Sequence, residues 1–325
     1  MLKEPGKVIF GGVVFDRTNG SFGTAEEIRT VLKALEDEGI NTIDTAQVYG
    51  ESEDLLGQVG AASSFVIDTK HCGGHIPGQS GKDVLVARAR ESLKKLRADH
   101  VNIFYLHSPD RNASLQETLA GVNELYESGM FKKFGLSNFL AHEVEDVVRV
   151  AKENNFVLPS VYQGNYSAIA RKQETELMPV LRQHNISFYA YSPLAGGFLT
   201  KTREDIKAGE GRWDPGSTYG QINLAIFNNA SMFQALDAWA AISEKWAISK
   251  ADLAYRWVAY HSALDDRFGD ALIIGATKVV QLKRTMQGLR DGPLPSQVVD
   301  EINAVWDIVK DEAMLDPVNG IILKA

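Results

Sequence analysis

Short apolar or β-branched runs alternate with longer amphipathic stretches from one end of the chain to the other, and this rhythm limits the fold more than any other feature. Eight such runs are present, at residues 8–10, 42–45, 65–69, 101–106, 134–136, 161–163, 187–191 and 272–274. Strands this short and apolar have no wet face, and each is followed by a segment of helical length, so repeated βα units around a covered parallel sheet are expected. The helical stretches carry their own start and stop signals. Thr24 and Glu27 have capping-box spacing ahead of a stretch that Gly39 ends, and Ser114 with Glu117 repeats the signature ahead of Gly129.

No low-complexity tract or Pro/Gly/Ser-rich hinge divides the 325 residues, so residues 1–325 read as a single domain. Eight strand–helix units in about 250–300 residues is the size of a (β/α)8 TIM barrel. An open dinucleotide-binding sheet is disfavoured because Gly11-Gly12 is followed by Val13-Val14-Phe15, which lacks the glycine turn such sheets use. Two segments fall outside the rhythm. Residues 200–229, with Gly209, Gly211, Pro215, Gly216 and Gly220, read as a long loop after strand seven and a cover for substrate. Residues 295–314 read as an extra C-terminal amphipathic helix, with Trp306 packed on the barrel wall.

Composition narrows the function. At 44% hydrophobic residues the chain can bury a large core, which excludes general disorder. With 34 basic against 42 acidic side chains, a net charge of −8, and no block of Lys or Arg, neither a nucleic acid nor an anionic membrane is an expected partner. The one cysteine, Cys72, excludes an internal disulfide and fits a reducing compartment. No apolar run approaches ~18 residues and the first residues lack a signal-like apolar stretch, so a cytoplasmic protein is expected.

In a barrel the chemistry sits at the carboxyl ends of the strands. Asp44 ends the second run, Lys70 the third, His107 the fourth, Ser137-Asn138 the fifth and Gln163 the sixth, with Tyr49 five residues past Asp44. Each taken alone has a structural explanation: a helix cap for Asp44, loop packing for Tyr49, a satisfied core imidazole for His107. A lysine facing a barrel mouth is harder to explain so, because a buried ammonium needs a partner. Three consecutive strands presenting a carboxylate, an ammonium and an imidazole favour a catalytic rim.

These residues resemble a known family. Asp44-Thr-Ala-x-x-Tyr49-Gly, Asp68-Thr-Lys70 and Leu106-His107-Ser-Pro-Asp110 are similar to the Asp, Tyr, Lys, His tetrad of the aldo-keto reductases, and the likeness extends through Gly135-Leu-Ser-Asn138, Tyr191-Ser-Pro-Leu194 and Ile274-Gly-Ala-Thr277. Within the superfamily, Glu174-Thr-Glu-Leu177 and Arg256-Trp257 with Tyr260-His-Ser262 resemble the aflatoxin-aldehyde and succinic-semialdehyde reductase branch. The resemblance implies metal-free, NADPH-dependent reduction of an aldehyde or ketone, with Tyr49 as general acid, Lys70 and Asp44 tuning it and His107 orienting the carbonyl. It further implies that Ser137, Asn138 and Gln163 hold the nicotinamide carboxamide, that Tyr191 stacks on the ring, and that Ser192 and Leu194 meet the diphosphate. Gly275, Thr277 and Gln281 would face the adenosine end, where Lys278, Lys283 and Arg284 suit a 2′-phosphate. The adenine-contacting Asn of the family is Thr285 in this chain.

For substrate, Arg212 resembles the branch's carboxylate-binding arginine, but the C-terminal arginine that accompanies it is missing and Lys324 offers only a point charge. Trp213, Tyr219, Val48 and the apolar 321–323 therefore favour an aromatic, dialdehyde or secondary-metabolite carbonyl over succinic semialdehyde. The branch also implies a homodimer. Two competing readings are a non-catalytic regulatory subunit on the same fold and, from His71, Cys72 and His75, a metal-dependent barrel hydrolase.

Overall fold

The computed structural model describes residues 6–18 and 20–321. Eight parallel strands close into a barrel in chain order: β1 (Lys7–Gly11), β2 (Thr42–Asp44), β3 (Val66–His71), β4 (Val101–Leu106), β5 (Phe131–Ser137), β6 (Pro159–Asn165), β7 (Ser187–Tyr191) and β8 (Ala271–Ile274), with β8 pairing back onto β1. All eight runs read from the sequence are strands. The helices α1 (Ala25–Asp37), α2 (Ser52–Gln58), α3 (Lys82–Leu96), α4 (Leu115–Glu127), α5 (Ala141–Glu153), α6 (Gln173–Glu176) and α7 (Met178–Gln183) fill the connections up to β7. Between β7 and β8 come α8 (Arg203–Ala208), α9 (Thr218–Phe227), α10 (Ala230–Trp246) and α11 (Lys250–Arg256), and after β8 come α12 (Val279–Arg290), α13 (Ser296–Val309) and α14 (Pro317–Gly320).

The predicted cap ahead of α1 forms in full: Thr24 Oγ1 accepts from Glu27 N while Glu27 returns a carboxylate oxygen to Thr24 N. Ser114 accepts from Glu117 N, giving α4 half of that motif. The buried stripe of α1, Ile28, Val31, Leu32 and Leu35, lies on the strands, and the other helices repeat the arrangement around the barrel. The predicted C-terminal helix is α13, whose buried Val298, Ile302, Val305 and Val309 pack against α10. None of the helices among the described residues is long and apolar enough to cross a membrane.

Residues 200–229 depart from the loop expected of them. Thr202 and Asp205 form a capping box that opens α8, Gly209 ends it at φ +66°, and Ser217 caps α9. Of the residues that suggested irregular chain, Gly209 is the stop of α8 and Gly220 lies within α9, so the cover after β7 is largely helical.

Inside the barrel, Ile9, Ile103, Tyr105, Val161, Tyr189, Ala271 and Ile273 form a small separate core. Gly135 keeps room for it, since a Cβ there would stand 2.3 Å from the Tyr105 ring. Asp68 shares this interior. It lies two residues before Lys70 on the same strand face, wholly buried; Oδ1 accepts from Asn102 Nδ2 at 2.8 Å and from Ile103 N at 3.0 Å, and Oδ2 has no partner. Burial pushes its carboxyl up to about 7, against the pull of the Asn102 hydrogen bond and with the Asp44 charge adding to the rise. The unfolded chain ionises this group near pH ~4, so between about pH 4 and 7 the folded state binds more protons and stability falls as pH rises. Asp68→Asn is therefore expected to raise stability at pH 8 by on the order of 2–3 kcal/mol and to change it little at pH 4, measured by urea unfolding at both values. A loss of stability at pH 8 would show instead that the carboxylate is needed ionised.

Candidate active site

Strand register brings the rim residues together. Asp44 closes β2, Lys70 lies one residue before the end of β3 and His107 follows β4, so three neighbouring strands present their side chains to one mouth. Lys70 is fully buried, and its Nζ donates to Asp44 Oδ2 at 2.5 Å and to the Thr45 carbonyl at 2.8 Å. The second Asp44 oxygen, Oδ1, accepts from Gln163 Nε2 at 2.9 Å across the barrel. An ammonium and a carboxylate are thus both desolvated and both hydrogen-bonded.

The half-buried Tyr49 leans over this pair, with Lys70 Nζ 4.8 Å from its ring centre. Its ring meets His107 edge-on at 5.5 Å. Burial raises the phenol well above its ordinary value and the Asp44 charge raises it further; of the cover residues, Tyr219 adds to the rise and Arg212 opposes it. A neighbouring ammonium alone would lower this phenol, but that charge is matched by Asp44, and burial prevails. His107 is shifted the other way: burial first, then the charge on Lys70, holds the imidazole well below its usual range and hence neutral. Its Nδ1 is buried without a hydrogen-bond partner. A protonated phenol and a neutral imidazole beside one opening can donate and orient hydrogen bonds to an oxygen placed between them.

Next to this group stands a second cluster. Ser137 ends β5, and Asn138 follows it in the left-handed region at φ +60°. Asn138 Nδ2 donates to the His107 carbonyl at 2.9 Å and to Ser137 Oγ at 3.0 Å, while its Oδ1 accepts from Tyr191 Oη at 2.8 Å. After β7, Ser192, Ala195, Gly196 and Gly197 all have positive φ, and Leu194 is half-buried among them. Ala195 N and Gly197 N are spent within this turn, on the Ser192 and Leu194 carbonyls at 2.8 and 3.0 Å; a run of left-handed residues of this kind is the backbone form that turns N–H groups toward an anion. At the top of β8 the space beside Gly275 is open, with no atom within 4 Å of where a Cβ would stand. Beyond it Thr277, Lys278, Gln281, Lys283 and Arg284 are exposed at the start of α12. The residues present fit a nicotinamide dinucleotide.

The Aldo/keto reductase family model matches residues 7–307, covering every strand of the barrel. The chain belongs to the aldo/keto reductase family. This aldo/keto reductase is 38% identical to the oxidoreductase sirO of Leptosphaeria maculans over 94% of its own length and 95% of that protein's. It is 35% identical to aflatoxin B1 aldehyde reductase member 2 of Rattus norvegicus, over 95% of this chain and 86% of the relative. With human aldo-keto reductase family 7 member A3 the identity is 38%, over 87% and 89% of the two chains. Membership makes it an NAD(P)H-dependent oxidoreductase of small carbonyl compounds.

Some expected contacts of this aldo/keto reductase lie elsewhere. Trp213 is 1% exposed, because its ring packs with Phe198 at 6.0 Å and Phe227 at 5.9 Å and holds the cover together; it does not line the mouth. Tyr219 and Arg212 are exposed on the cover, and Val48 is half-buried beside Tyr49. Gln163 is committed to Asp44, and Gln281 Oε1 accepts from Thr277 N, Thr277 Oγ1 and Lys278 N, so it serves as the N-terminal cap of α12. Thr285 faces inward and is 8% exposed. Lys324 lies outside the described residues. Of His71, Cys72 and His75, the first two touch, His71 Nε2 lying 3.8 Å from Cys72 Sγ and 3.2 Å from Ser80 Oγ, whereas the His75 ring lies against His107 at 4.6 Å; among the described residues no three such side chains gather as a metal-holding group. Asn319 and Arg111, which tie the tail to this site, carried no sequence signal.

Removing one member of the buried pair leaves the other charge unmatched. Asp44→Ala is expected to destabilise the fold by about 3–5 kcal/mol, and adding Lys70→Met should recover most of that loss, as read from a double-mutant cycle of urea midpoints. Additive losses in the double variant would mean that the two charges do not depend on each other.

Proposed function

We propose that this protein reduces an aldehyde or ketone to the alcohol with NADPH, Tyr49 acting as general acid. One juxtaposition carries the reading: the Tyr49 ring within 4.8 Å of the buried Lys70 ammonium and 5.5 Å of the His107 ring, over the Asp44 carboxylate. When bound, the nicotinamide supplies hydride to the carbonyl carbon. As negative charge develops on the carbonyl oxygen, the Tyr49 O–H gives its proton to that oxygen, and a donor must lie within ~3 Å to do so. Because burial keeps the phenol protonated, the acid form is the resident one at neutral pH, which favours the reducing direction. Lys70, held by Asp44 and Thr45, keeps positive charge beneath the phenolate that remains and eases the transfer. His107, neutral, orients the carbonyl oxygen.

In the cofactor site Ser137 and Asn138 hold the carboxamide, with Gln163 beside them, and Tyr191 packs on the ring. Ser192 and Leu194 supply backbone donors to the diphosphate. The exposed Lys278, Lys283 and Arg284 at the start of α12 provide the charge for a 2′-phosphate, with Gly275, Thr277 and Gln281 around the adenosine. The substrate is an aromatic, dialdehyde or secondary-metabolite carbonyl compound. Support comes from relatives named as aflatoxin B1 aldehyde reductases and from the apolar Val48 beside Tyr49 and the aromatic Tyr219 on the cover, where the charge of Arg212 also reaches the Tyr49 phenol.

Tyr49→Phe is expected to cut NADPH-dependent aldehyde reduction by about 10²–10⁴-fold while nucleotide affinity, followed by fluorescence titration, stays within about twofold. Unchanged turnover would exclude the phenol as the acid. With the phenol raised, kcat for reduction should stay level from about pH 8 to about pH 10, where a phenol of ordinary value would be half ionised, and oxidation of the alcohol should climb over the same interval. Arg284→Ala should weaken NADPH far more than NADH; equal loss with both would remove the 2′-phosphate from the role of this cluster.

A further inference from the structure

Asn319 sits in α14, the last helical turn described. Its backbone N–H donates to Asp316 Oδ1 at 2.7 Å and its Nδ2 to Asp316 Oδ2 at 3.0 Å, which closes the turn locally around a carboxylate only 1% exposed. Two further bonds reach across the molecule. Nδ2 donates to the main-chain carbonyl of Asn138, 181 residues away, at 2.7 Å, and Oδ1 accepts from Arg111 Nη2, 208 residues away, at 2.7 Å. Arg111 is itself held by Glu143 at 2.8 Å through Nε. One carboxamide thus joins the tail to the end of β5 and to the loop after β4.

The residue it grips is unusual. Asn138 adopts φ +60°, a conformation an L-residue takes at some cost, and both ends of its side-chain amide are engaged, one by the His107 carbonyl and one by the Tyr191 hydroxyl. Backbone and side chain are therefore held from opposite sides: by the tail through Asn319, and by the rim through His107 and Tyr191. A residue needed only to stabilise the α14 turn would require Asp316 alone.

On the reading given under Proposed function, we infer that Asn319 is a positioning residue for hydride transfer, fixing Asn138 and through it the His107 loop and the Tyr191 hydroxyl. The seating of the tail is thereby linked to the seating of the nicotinamide. The donor at Nδ2 is the essential atom. Asn319→Ala loses it together with the acceptor, whereas Asn319→Asp loses the donor and keeps an acceptor for Arg111.

The test uses the full-length protein: NADPH affinity from quenching of tryptophan fluorescence, kcat and KM with one aromatic aldehyde, and thermal melting, for the parent and both variants. Both variants are expected to bind NADPH about tenfold more weakly and to lose about tenfold in kcat, with aldehyde KM within about threefold, since a buried carbonyl left without its donor is costly. Asn319→Asp behaving like the parent would place the effect in the Arg111 bond and overturn the inference. So would a lowered melting temperature in Asn319→Ala with affinity and kcat unchanged, which is what a purely structural turn would give. A parent that fails to bind NADPH would overturn the functional reading and this inference together, whereas a fully active parent with indifferent variants overturns the inference alone.

Discussion

The Lys70–Asp44 ion pair is the interaction on which the site depends. Two charges inside a barrel cost several kcal/mol each in lost hydration, and their attraction offsets this only when every remaining donor and acceptor is met. The chain meets that demand from three strands: Thr45 contributes a carbonyl past β2, Gln163 an amide from β6, and the bond at 2.5 Å closes the pair. A parallel barrel is well suited to this, because consecutive strand ends point at one opening and leave little room for water to stand in as partner. The pair constrains its neighbours in turn. Gln163 is turned toward Asp44, and His107 is kept neutral in part by the ammonium beside it.

A matched pair also changes what the lysine can do for the phenol. An isolated ammonium would pull Tyr49 toward ionisation, whereas here Asp44 cancels most of that field and burial keeps the proton on. On the proposed mechanism, the charge on Lys70 would matter most at the moment a phenolate forms, when it would face a new negative group and stabilise the charge-separated arrangement more than the resting one. Differential stabilisation of this kind needs a charge fixed in advance. The two hydrogen bonds from Nζ to Asp44 and Thr45 provide that fixity.

Much of the architecture was legible in the sequence because it is local. All eight apolar runs became strands, and Thr24–Glu27 became the cap it resembled, since runs, periodicity and capping spacing are properties of neighbours in the chain. The tetrad was legible for a related reason: in a barrel a residue's rank along its strand fixes its height, so Asp44, Lys70 and His107 could be assigned to one rim without knowing any distance. The cover was misread where local signals are ambiguous. Gly209 suits both an irregular loop and the end of a short helix, and Gly220, a poor helix former, lies inside α9, where packing around Trp213 and Phe227 overrides its preference. Asn319 was illegible altogether, because an asparagine near a chain end has no periodicity and its partners are 181 and 208 residues away.

The acidic balance of the chain takes on a different meaning once the mouth is mapped. Lys278, Lys283 and Arg284 are exposed together at the start of α12, and none of them makes an ion pair among those found at the described residues. Several surface cations elsewhere are tied down, Arg17 to Glu51, Arg203 to Asp237 and Arg149 to Asp146 and Glu153. Paired charges cancel at a distance, so a net charge of −8 spread over the remaining surface coexists with a local positive field at one edge of the opening. An anionic ligand entering there would meet cations that no carboxylate has to release. The cost of leaving those cations unpaired is small in water, which is why a binding edge of this kind can persist on an otherwise acidic protein.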